Sequence, residues 1–351
     1  MRKNDLLPVY LNIKSKEITY ILLLVFSFFG TGCTNNSQKP LEISFYYWKQ
    51  SFELNSEQQD LLNSCGTKEL YVKFFDVIVD PNSGEVKPIS KIDFKQKPST
   101  TVVPCVFIQN DVFKTKINLD TIARDICDLT FKIAKSNNIN LTEIQIDCDW
   151  TAQTKQNYFA FLERIQTIAA TISITPTIRL HQIKFKESAG IPPAKKGLLM
   201  CYNMGDIESF KTENSIVSNE VLQTYINEQT TYPVKLDLAL PIYQWALLYR
   251  LGELTTIDND IDLNELKNNG LKEFEPNKFQ VLNFTTIKET EYCKGDLVKF
   301  EECNPSELLK CANTLKNSGL EFNKIIFYHI SQNNLNKFNH EFFKEISRTL
   351  N

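Results

Sequence analysis

The chain has 351 residues, of which 42% are hydrophobic, so it is long enough to bury a sizeable core in one large domain. It carries 39 lysines and arginines against 42 aspartates and glutamates, which gives a formal net charge of −3. This balance, and the lack of a long basic stripe in the sequence, argue against nucleic acid as a partner, because binding to phosphate backbones requires clustered positive charge.

The first 32 residues have the pattern of an export signal. A basic stretch precedes an apolar run over 18–29, which is too short to span a bilayer comfortably. Small residues then lead to Cys33, an arrangement that resembles the bacterial lipoprotein cleavage site, where the cysteine is lipidated. We predict a signal peptide over 1–32, a lipid anchor at Cys33 and a polar tether over 33–40; the alternative is an uncleaved anchor helix. The protein would then be a membrane-anchored lipoprotein of the bacterial cell envelope, facing the periplasm or the cell exterior.

Apolar runs of strand length, rich in β-branched and aromatic residues, follow along the rest of the chain. They lie at 42–48, 69–77, 101–108, 142–149, 173–181, 197–203, 234–243 and 324–330. Helical patterns separate several of them, including one capped by Asn118, one after Thr154 and one from Asn304 to Gly319. Alternating strands and helices predict a parallel sheet, and this number of strands predicts a closed (β/α)8 TIM barrel, an α/β fold, over 41–351. The alternative is an open doubly wound sheet, but no Gly-x-Gly-x-x-Gly turn follows the first strand.

The alternation of strands and helices is interrupted between the seventh and eighth strands. This stretch is longer than one connecting helix needs, and it contains a strand-like run over 278–285. We predict a small α+β insertion at 251–300. Cys293, in this insertion, and Cys303, just after it, flank a polar, charged loop, so the sequence allows a disulfide between them without deciding whether it forms. No cysteine or histidine spacing predicts zinc, so we expect neither a metal nor a cofactor.

Polar and aromatic residues end the predicted strands, and in a barrel these ends share one mouth. Aromatic rings stack on the C–H faces of sugars, while carboxylates and amides hydrogen-bond sugar hydroxyls. The mixture is typical of a sugar site, with Trp245 as the preferred stacking platform. The candidates are Trp48, Asp76, Gln109, Asp147, Asp149, Arg179, His181, Tyr202, Asn203, Tyr243, Trp245, Tyr328 and His329.

Four motifs resemble strands of glycoside hydrolase family 18, the chitinase-like barrels. The run from Asp147 to Thr151 resembles the catalytic strand, with threonine at the position of the family's catalytic glutamate. The segments Leu199 to Gly205, Leu238 to Gln244 and Ile325 to His329 resemble the sixth, seventh and eighth strands. The resemblance covers about residues 41–331, and it implies a TIM barrel whose partner is a glycan of the N-acetylglucosamine type.

The resemblance also implies roles for single residues. In that family the N-acetyl oxygen of the sugar attacks the anomeric carbon while the glutamic acid protonates the leaving oxygen. Asp149 would orient the acetamido group, Asp147 would be its buried neighbour and Tyr202 would hydrogen-bond the acetamido oxygen. Thr151 would contact the ligand or cap the following helix, but a hydroxyl does not replace a carboxylic acid as a proton donor.

The two carboxylates have an alternative interpretation, in which backbone amides or Arg179 simply satisfy them. Their closeness predicts a raised pKa for one of Asp147 and Asp149, because like charges disfavour each other's ionisation. Three functions remain open: a glycan-binding protein that has lost hydrolysis, a hydrolase whose acid is relocated to Asp149 or Asp76, and a surface scaffold with a vestigial cleft.

Overall fold

Eight parallel strands form a closed barrel in the computed structural model, which describes residues 39–331, 335 and 337–351. The first strand pairs with the second strand on one side and with the eighth on the other, so the sheet has closed on itself. The predicted (β/α)8 fold is therefore confirmed, and the open doubly wound alternative is excluded. The barrel strands, first to eighth, are Glu42–Tyr47, Glu69–Val79, Thr101–Ile108, Glu143–Asp147, Ser173–Arg179, Lys196–Met200, Lys235–Pro241 and Phe322–Tyr328.

The predicted N-terminal segments fall largely outside the described residues. The signal peptide over 1–32, the lipidation residue Cys33 and the tether as far as residue 38 are all in this part of the chain. Within the described residues, no helix combines the length and the apolar character needed to cross a bilayer.

Helices connect the barrel strands and begin at capping residues that the sequence indicates. The side chain of Asn118 accepts hydrogen bonds from the backbone N–H groups of Asp120 and Thr121, and Asn304 caps its helix in the same way. The described helices outside the insertion are Ser56–Cys65, Leu119–Ser136, Lys155–Ile168, Leu180–Lys184, Lys186–Ala189, Asn219–Tyr225, Pro305–Lys316 and His340–Thr349, with a 3-10 turn at Asn110–Lys114.

An antiparallel sheet interrupts the barrel between its seventh and eighth strands, where the sequence predicts an insertion. Its strands, in spatial order, are Glu253–Asp258, Gln244–Arg250, Leu297–Glu302, Lys278–Gln280 and Lys272–Glu275. A helix at Leu263–Asn268 and a hairpin of Thr285–Ile287 with Thr290–Tyr292 complete it. The insertion has its own small hydrophobic core, centred on residues such as Leu266, Phe279 and Val298.

Three short strands lie beside the first two barrel strands. Val86–Ile89 pairs antiparallel with the second strand, and Ser51–Phe52 pairs with Asp93–Phe94.

All cysteines in the described part of the chain are free thiols, including Cys293 and Cys303. Cys303 is buried in the barrel core, whereas the backbone N–H of Cys293 donates to Asp296 in a loop of the insertion. The disulfide that the sequence leaves open is therefore not formed. Cys105, Cys127, Cys148 and Cys201 are buried, as their apolar surroundings predict.

Candidate functional site

An ion pair joins the ends of the fourth and fifth strands at the barrel mouth. The guanidinium of Arg179 donates from Nε to Asp149 Oδ1 at 2.5 Å and from Nη2 to Asp149 Oδ2 at 3.0 Å. The Asp149 side chain is half exposed, and that of Arg179 is 20% exposed. Both carboxylate oxygens of Asp149 thus accept hydrogen bonds from Arg179. This agrees with the alternative interpretation of the sequence, in which Arg179 pairs with the carboxylate.

Asp147, the last residue of the fourth strand, lies two residues before Asp149 and is almost fully buried. Its Oδ1 accepts a hydrogen bond of 2.8 Å from the hydroxyl of Thr177. Burial, and then the charge of Asp149, raise the pKa of Asp147 to about 6, against the opposing effects of Arg179 and Thr177. The predicted raised pKa of one member of the pair is confirmed, and it belongs to the buried member.

Aromatic rings form a continuous row across the mouth, from Trp48 through Tyr328 to Tyr202. The ring centroids of Trp48 and Tyr328 are 5.6 Å apart, and Tyr328 and Tyr202 stack at 5.1 Å with an interplanar angle of 17°. Tyr243 meets Tyr328 edge-on at 5.6 Å. The row therefore brings together residues that the sequence places at the ends of the first, sixth, seventh and eighth strands.

Lys73 and Asp76 form a second ion pair at the mouth, with Lys73 Nζ 3.0 Å from Asp76 Oδ2. Residues three apart on a regular strand point to opposite faces. A register shift between Lys73 and Phe75 adds the extra residue of a bulge, which lets both side chains reach the same face. Lys73 Nζ also lies 5.7 Å from the centroid of the Trp48 ring.

Thr151, at the position that the resemblance assigns to the acid, is exposed in the loop after the fourth strand. Its carbonyl accepts from the N–H of Lys155 and its own N–H donates to Thr154 Oγ1, both at 2.9 Å. The hydroxyl of Thr154 in turn donates to Asn110 Oδ1 at 2.6 Å. The next helix begins at Lys155 with Thr154 as its N-cap residue, so the predicted alternative in which Thr151 caps this helix is wrong, and the Thr151 side chain is exposed in the loop.

Asn203 and Tyr243 are joined at the ends of the sixth and seventh strands. The hydroxyl of Tyr243 donates to Asn203 Oδ1. Asn203 has φ of 53°, in the left-handed region that asparagine tolerates better than most residues. This backbone conformation turns the chain away from the sixth strand, immediately after Tyr202.

Trp245 is 7% exposed and belongs to the first strand of the insertion. Its indole N–H donates to Glu301 Oε2 at 2.8 Å, deep within the protein. Glu301 also accepts from the backbone N–H and the hydroxyl of Ser215. The predicted role of Trp245 as a sugar platform stays a prediction, and its burial does not favour it.

Gln109, His181 and His329 are the remaining candidates from the sequence. The side-chain oxygen of Gln109 accepts from the N–H of Val79 at 3.4 Å, so it supports the end of the second strand. The side chain of His181 is largely exposed beside the Asp149 and Arg179 pair. Its partial loss of hydration, and then the charge of Arg179, lower its pKa against the opposing charge of Asp149. Burial, together with the charge of Lys49, lowers the pKa of His329 to about 4.

Sequence reasoning missed Lys73, Thr177 and Glu301. A signal for Lys73 existed, because a lysine interrupts an otherwise apolar strand, and such residues are rarely buried without a partner. Thr177 and Glu301 gave no comparable signal. In the described residues, no group of three or more histidine, cysteine, aspartate or glutamate side chains is arranged to hold a metal ion.

Solved structures with a similar fold include proteins named as chitinases. The C-terminal domain of a proposed chitinase from Desulfitobacterium hafniense has a TM-score of 0.52 at 10% identity, covering 89% of this chain and 100% of that chain. This likeness shows a chitinase-like barrel fold. The resemblance that the strand motifs indicate is therefore confirmed at the level of the fold.

Two further structures have lower TM-scores. The spore cortex-lytic enzyme SleL from Bacillus megaterium gives 0.49 at 13% identity and covers 90% of this chain and 75% of that chain. A chitinase from Chromobacterium violaceum has a TM-score of 0.48 at 11% identity and covers 88% of this chain and 99% of that chain. No protein-family model and no curated protein sequence matches the chain.

Proposed function

We propose that this protein is a chitinase-like barrel that binds a glycan of the N-acetylglucosamine type and does not hydrolyse it efficiently. The proposal rests on the side chains of Thr151 and Asp149, which follow the fourth strand. Thr151 offers a hydroxyl where the fold's hydrolases, by the resemblance, need an acid, and both oxygens of Asp149 are bound by Arg179. General acid catalysis typically contributes about 10²- to 10⁴-fold, so its loss leaves recognition as the main activity.

The aromatic row supports glycan binding. Trp48 and Tyr328 are only partly buried, so ring surface remains at the mouth. Aromatic faces combine a large apolar area with polar edges, which suits the alternating C–H and hydroxyl surfaces of a sugar.

Hydrolysis with a relocated acid is less well supported. Asp149 is held as a hydrogen-bond acceptor by Arg179, and Asp76 is held in the same way by Lys73. Neither carboxylate has a proton to donate in this arrangement. A scaffold with a vestigial cleft is not favoured either, because the mouth retains two ion pairs rather than a plug of apolar side chains.

Calorimetry with chitotetraose, combined with chromatography of the products, tests the proposal. We expect measurable binding and no release of shorter sugars over hours. Trp48→Ala should weaken binding by about fivefold, since one stacking contact is worth roughly a kcal/mol. Phe284→Ala is the matched control, because this phenylalanine is 62% exposed on the insertion and should not affect affinity. Rapid product release, or an equal effect of the two variants, would contradict the proposal.

We further propose that the protein is exported and held to a membrane of the cell envelope by a lipid on Cys33. The basic stretch, the short apolar run and the small residues before Cys33 support this. Cells that express the full chain should incorporate labelled palmitate into it, and Cys33→Ala should abolish the label and release the protein from membranes. A Cys65→Ala variant serves as the control. Equal labelling of the Cys33→Ala protein would contradict the anchor.

A further inference from the structure

Two cations flank the aromatic row at the barrel mouth. Lys73 Nζ lies 5.7 Å from the centroid of Trp48, and Arg179 Cζ lies 5.8 Å from the centroid of Tyr202. Tyr328 lies between these two rings, within 5.6 Å of Trp48 and 5.1 Å of Tyr202. The mouth therefore presents an aromatic floor with one positive charge at each end.

Both cations retain donor capacity after pairing with their carboxylates. Arg179 uses Nε and Nη2 on Asp149, and among the described residues its Nη1 donates no hydrogen bond. Lys73 donates one hydrogen bond, to Asp76, whereas an ammonium has three N–H groups. The two side chains keep 20% and 11% of their surface exposed. A bound molecule could therefore accept hydrogen bonds at both ends of the row.

The acceptors at the mouth are more fully occupied than the donors. Asp149 has both oxygens bound by Arg179, and Asp76 and Asp147 each have one oxygen bound, by Lys73 and Thr177 respectively. The mouth therefore has more free hydrogen-bond donors than free acceptors. A ligand that supplies hydrogen-bond acceptors matches it better than one that supplies only donors.

We propose that the glycan recognised at this mouth carries a carboxylate, which is bound by the free N–H groups of either Arg179 or Lys73 at one end of the aromatic row while the sugar rings lie on that row. Guanidinium and ammonium groups form their strongest hydrogen bonds with such anions. This inference rests on the proposed function, and it narrows the ligand to acidic sugars: a lactyl ether of N-acetylglucosamine or a uronic acid.

The mouth becomes more receptive to an anion as the pH falls. Asp147 and the four charged groups around it, Asp76, Asp149, Lys73 and Arg179, form a cluster of five. Three are acidic and two basic, so protonation of Asp147 removes the excess negative charge. Because the pKa of Asp147 is about 6, the affinity for a carboxylate should be higher at pH 5 than at pH 7.5.

Calorimetry on the full chain with matched sugars tests the inference. The first pair is the disaccharide of N-acetylglucosamine and N-acetylmuramic acid against the same disaccharide with its carboxylate converted to the carboxamide. The second pair is a hyaluronan tetrasaccharide against its carboxyl-reduced form, and chitotetraose is the neutral reference. We expect one of the two acids to bind at least about tenfold more tightly than its neutral partner at pH 5, since a charged hydrogen bond is lost in the neutral form. The pair that responds identifies the source of the carboxylate.

Variants assign the effect to one of the two cations. One of Arg179→Met and Lys73→Met should reduce the preference for the acid, and the variant that does so identifies the cation that binds the carboxylate. Both variants should still bind chitotetraose, which shows that they remain folded. Arg164→Met is the matched control, because Arg164 is paired with Asp120 at 2.9 Å on the outside of the barrel. Equal affinity for acid and neutral partner, or an equal effect of Arg164→Met, would overturn the inference and leave glycan binding intact. Failure of every sugar to bind would overturn both proposals.

Discussion

Arg179 and Asp149 are joined by two hydrogen bonds between the ends of the fifth and fourth barrel strands. Because the Asp149 side chain is half exposed, water screens this ion pair, and its contribution to stability is modest. Its main consequence is geometric. The carboxylate is fixed by a planar partner with two donors, so it is not free to turn towards a sugar.

Because Arg179 fixes the orientation of Asp149, we expect that placing a carboxylic acid at position 151 does not by itself restore hydrolysis. Thr151→Glu places a carboxylic acid in the exposed loop after the fourth strand, and we expect little turnover of chitotetraose from it. The double variant Thr151→Glu with Arg179→Met also frees Asp149, and turnover should rise by about 10²-fold or more over the single variant. The measurement is the initial rate of product formation.

Thr151→Gln is the control for this experiment, because it has the size of glutamate without a transferable proton. It should stay inactive with or without Arg179→Met. Equal rates for the glutamine and glutamate variants would contradict a role for an acid at this position. Equal rates for the single and double glutamate variants would contradict the restraint of Asp149 by Arg179.

The raised pKa of Asp147 predicts a stability that falls as the pH rises. The folded protein holds a proton on Asp147 up to about pH 6, whereas an unfolded aspartate loses it near pH 4. In this window the native state binds more protons, so its stability decreases from pH 4 to pH 6 and stays lower above that. Asp147→Asn keeps an acceptor for Thr177 and removes the titration.

Denaturation by urea across pH 4 to 7.5 measures the effect. The free energy of unfolding of Asp147→Asn, relative to the parent, should become more favourable towards pH 7.5 by about 2 to 3 kcal/mol, because one pKa unit corresponds to about 1.4 kcal/mol. Asp120→Asn, on an exposed helix, is the control and should show no such trend. A difference independent of pH would mean that Asp147 is ionised throughout the range.

The sequence predicts the barrel well because its strands are long and apolar. Strands buried on both faces read as continuous runs of apolar residues, as in the third strand, Thr101–Ile108. The short strands of the insertion carry no such signal. Lys272–Glu275, for example, is an exposed edge strand with three charged residues out of four, and its sequence resembles a loop.

The site is predictable where a strand is regular and unpredictable where it is not. Alternation on the fourth strand places Asp147 and Asp149 near each other, and the structure agrees. The partnership of Lys73 with Asp76 depends on a bulge, which breaks the two-residue period on which the prediction relies. Trp245 follows the seventh strand in sequence, but the chain enters the insertion at Gln244 and carries the indole into the interior.

We expect Glu301 to stabilise the loop after the sixth strand. It pairs with Lys299 at 2.8 Å, with both side chains at most 1% exposed, and it binds Ser215 and Trp245. Glu301→Gln leaves the ammonium of Lys299 buried without its counter-charge. We expect the free energy of unfolding to fall by about 3 to 5 kcal/mol, measured by urea denaturation. Glu302→Gln is the control, since that side chain is 38% exposed, and a similar loss in both variants would contradict the importance of the buried pair.

Lys196 has a comparable role at the opposite, N-terminal end of the barrel. Its Nζ lies 2.7 Å from Glu143 and 2.9 Å from Asp237, whose side chain is 1% exposed. Burial raises the pKa of Asp237, and Lys196 opposes that rise. Lys196→Met would leave two neighbouring carboxylates without their shared cation, and it should lower the free energy of unfolding by about 3 to 5 kcal/mol at neutral pH.

The loss in Lys196→Met should depend on pH in a definite direction. Without Lys196 the pKa of Asp237 rises further, so the carboxyl can take up a proton at low pH and the cost of burial becomes smaller. The defect should therefore be larger at pH 8 than at pH 5. Lys68→Met is the matched control, because its ion pair with Glu42 is exposed and screened by water, so this variant should show no such difference between pH 5 and pH 8. A defect that is equal at pH 5 and pH 8 would mean that the lysine acts through the packing of its aliphatic chain rather than through its charge.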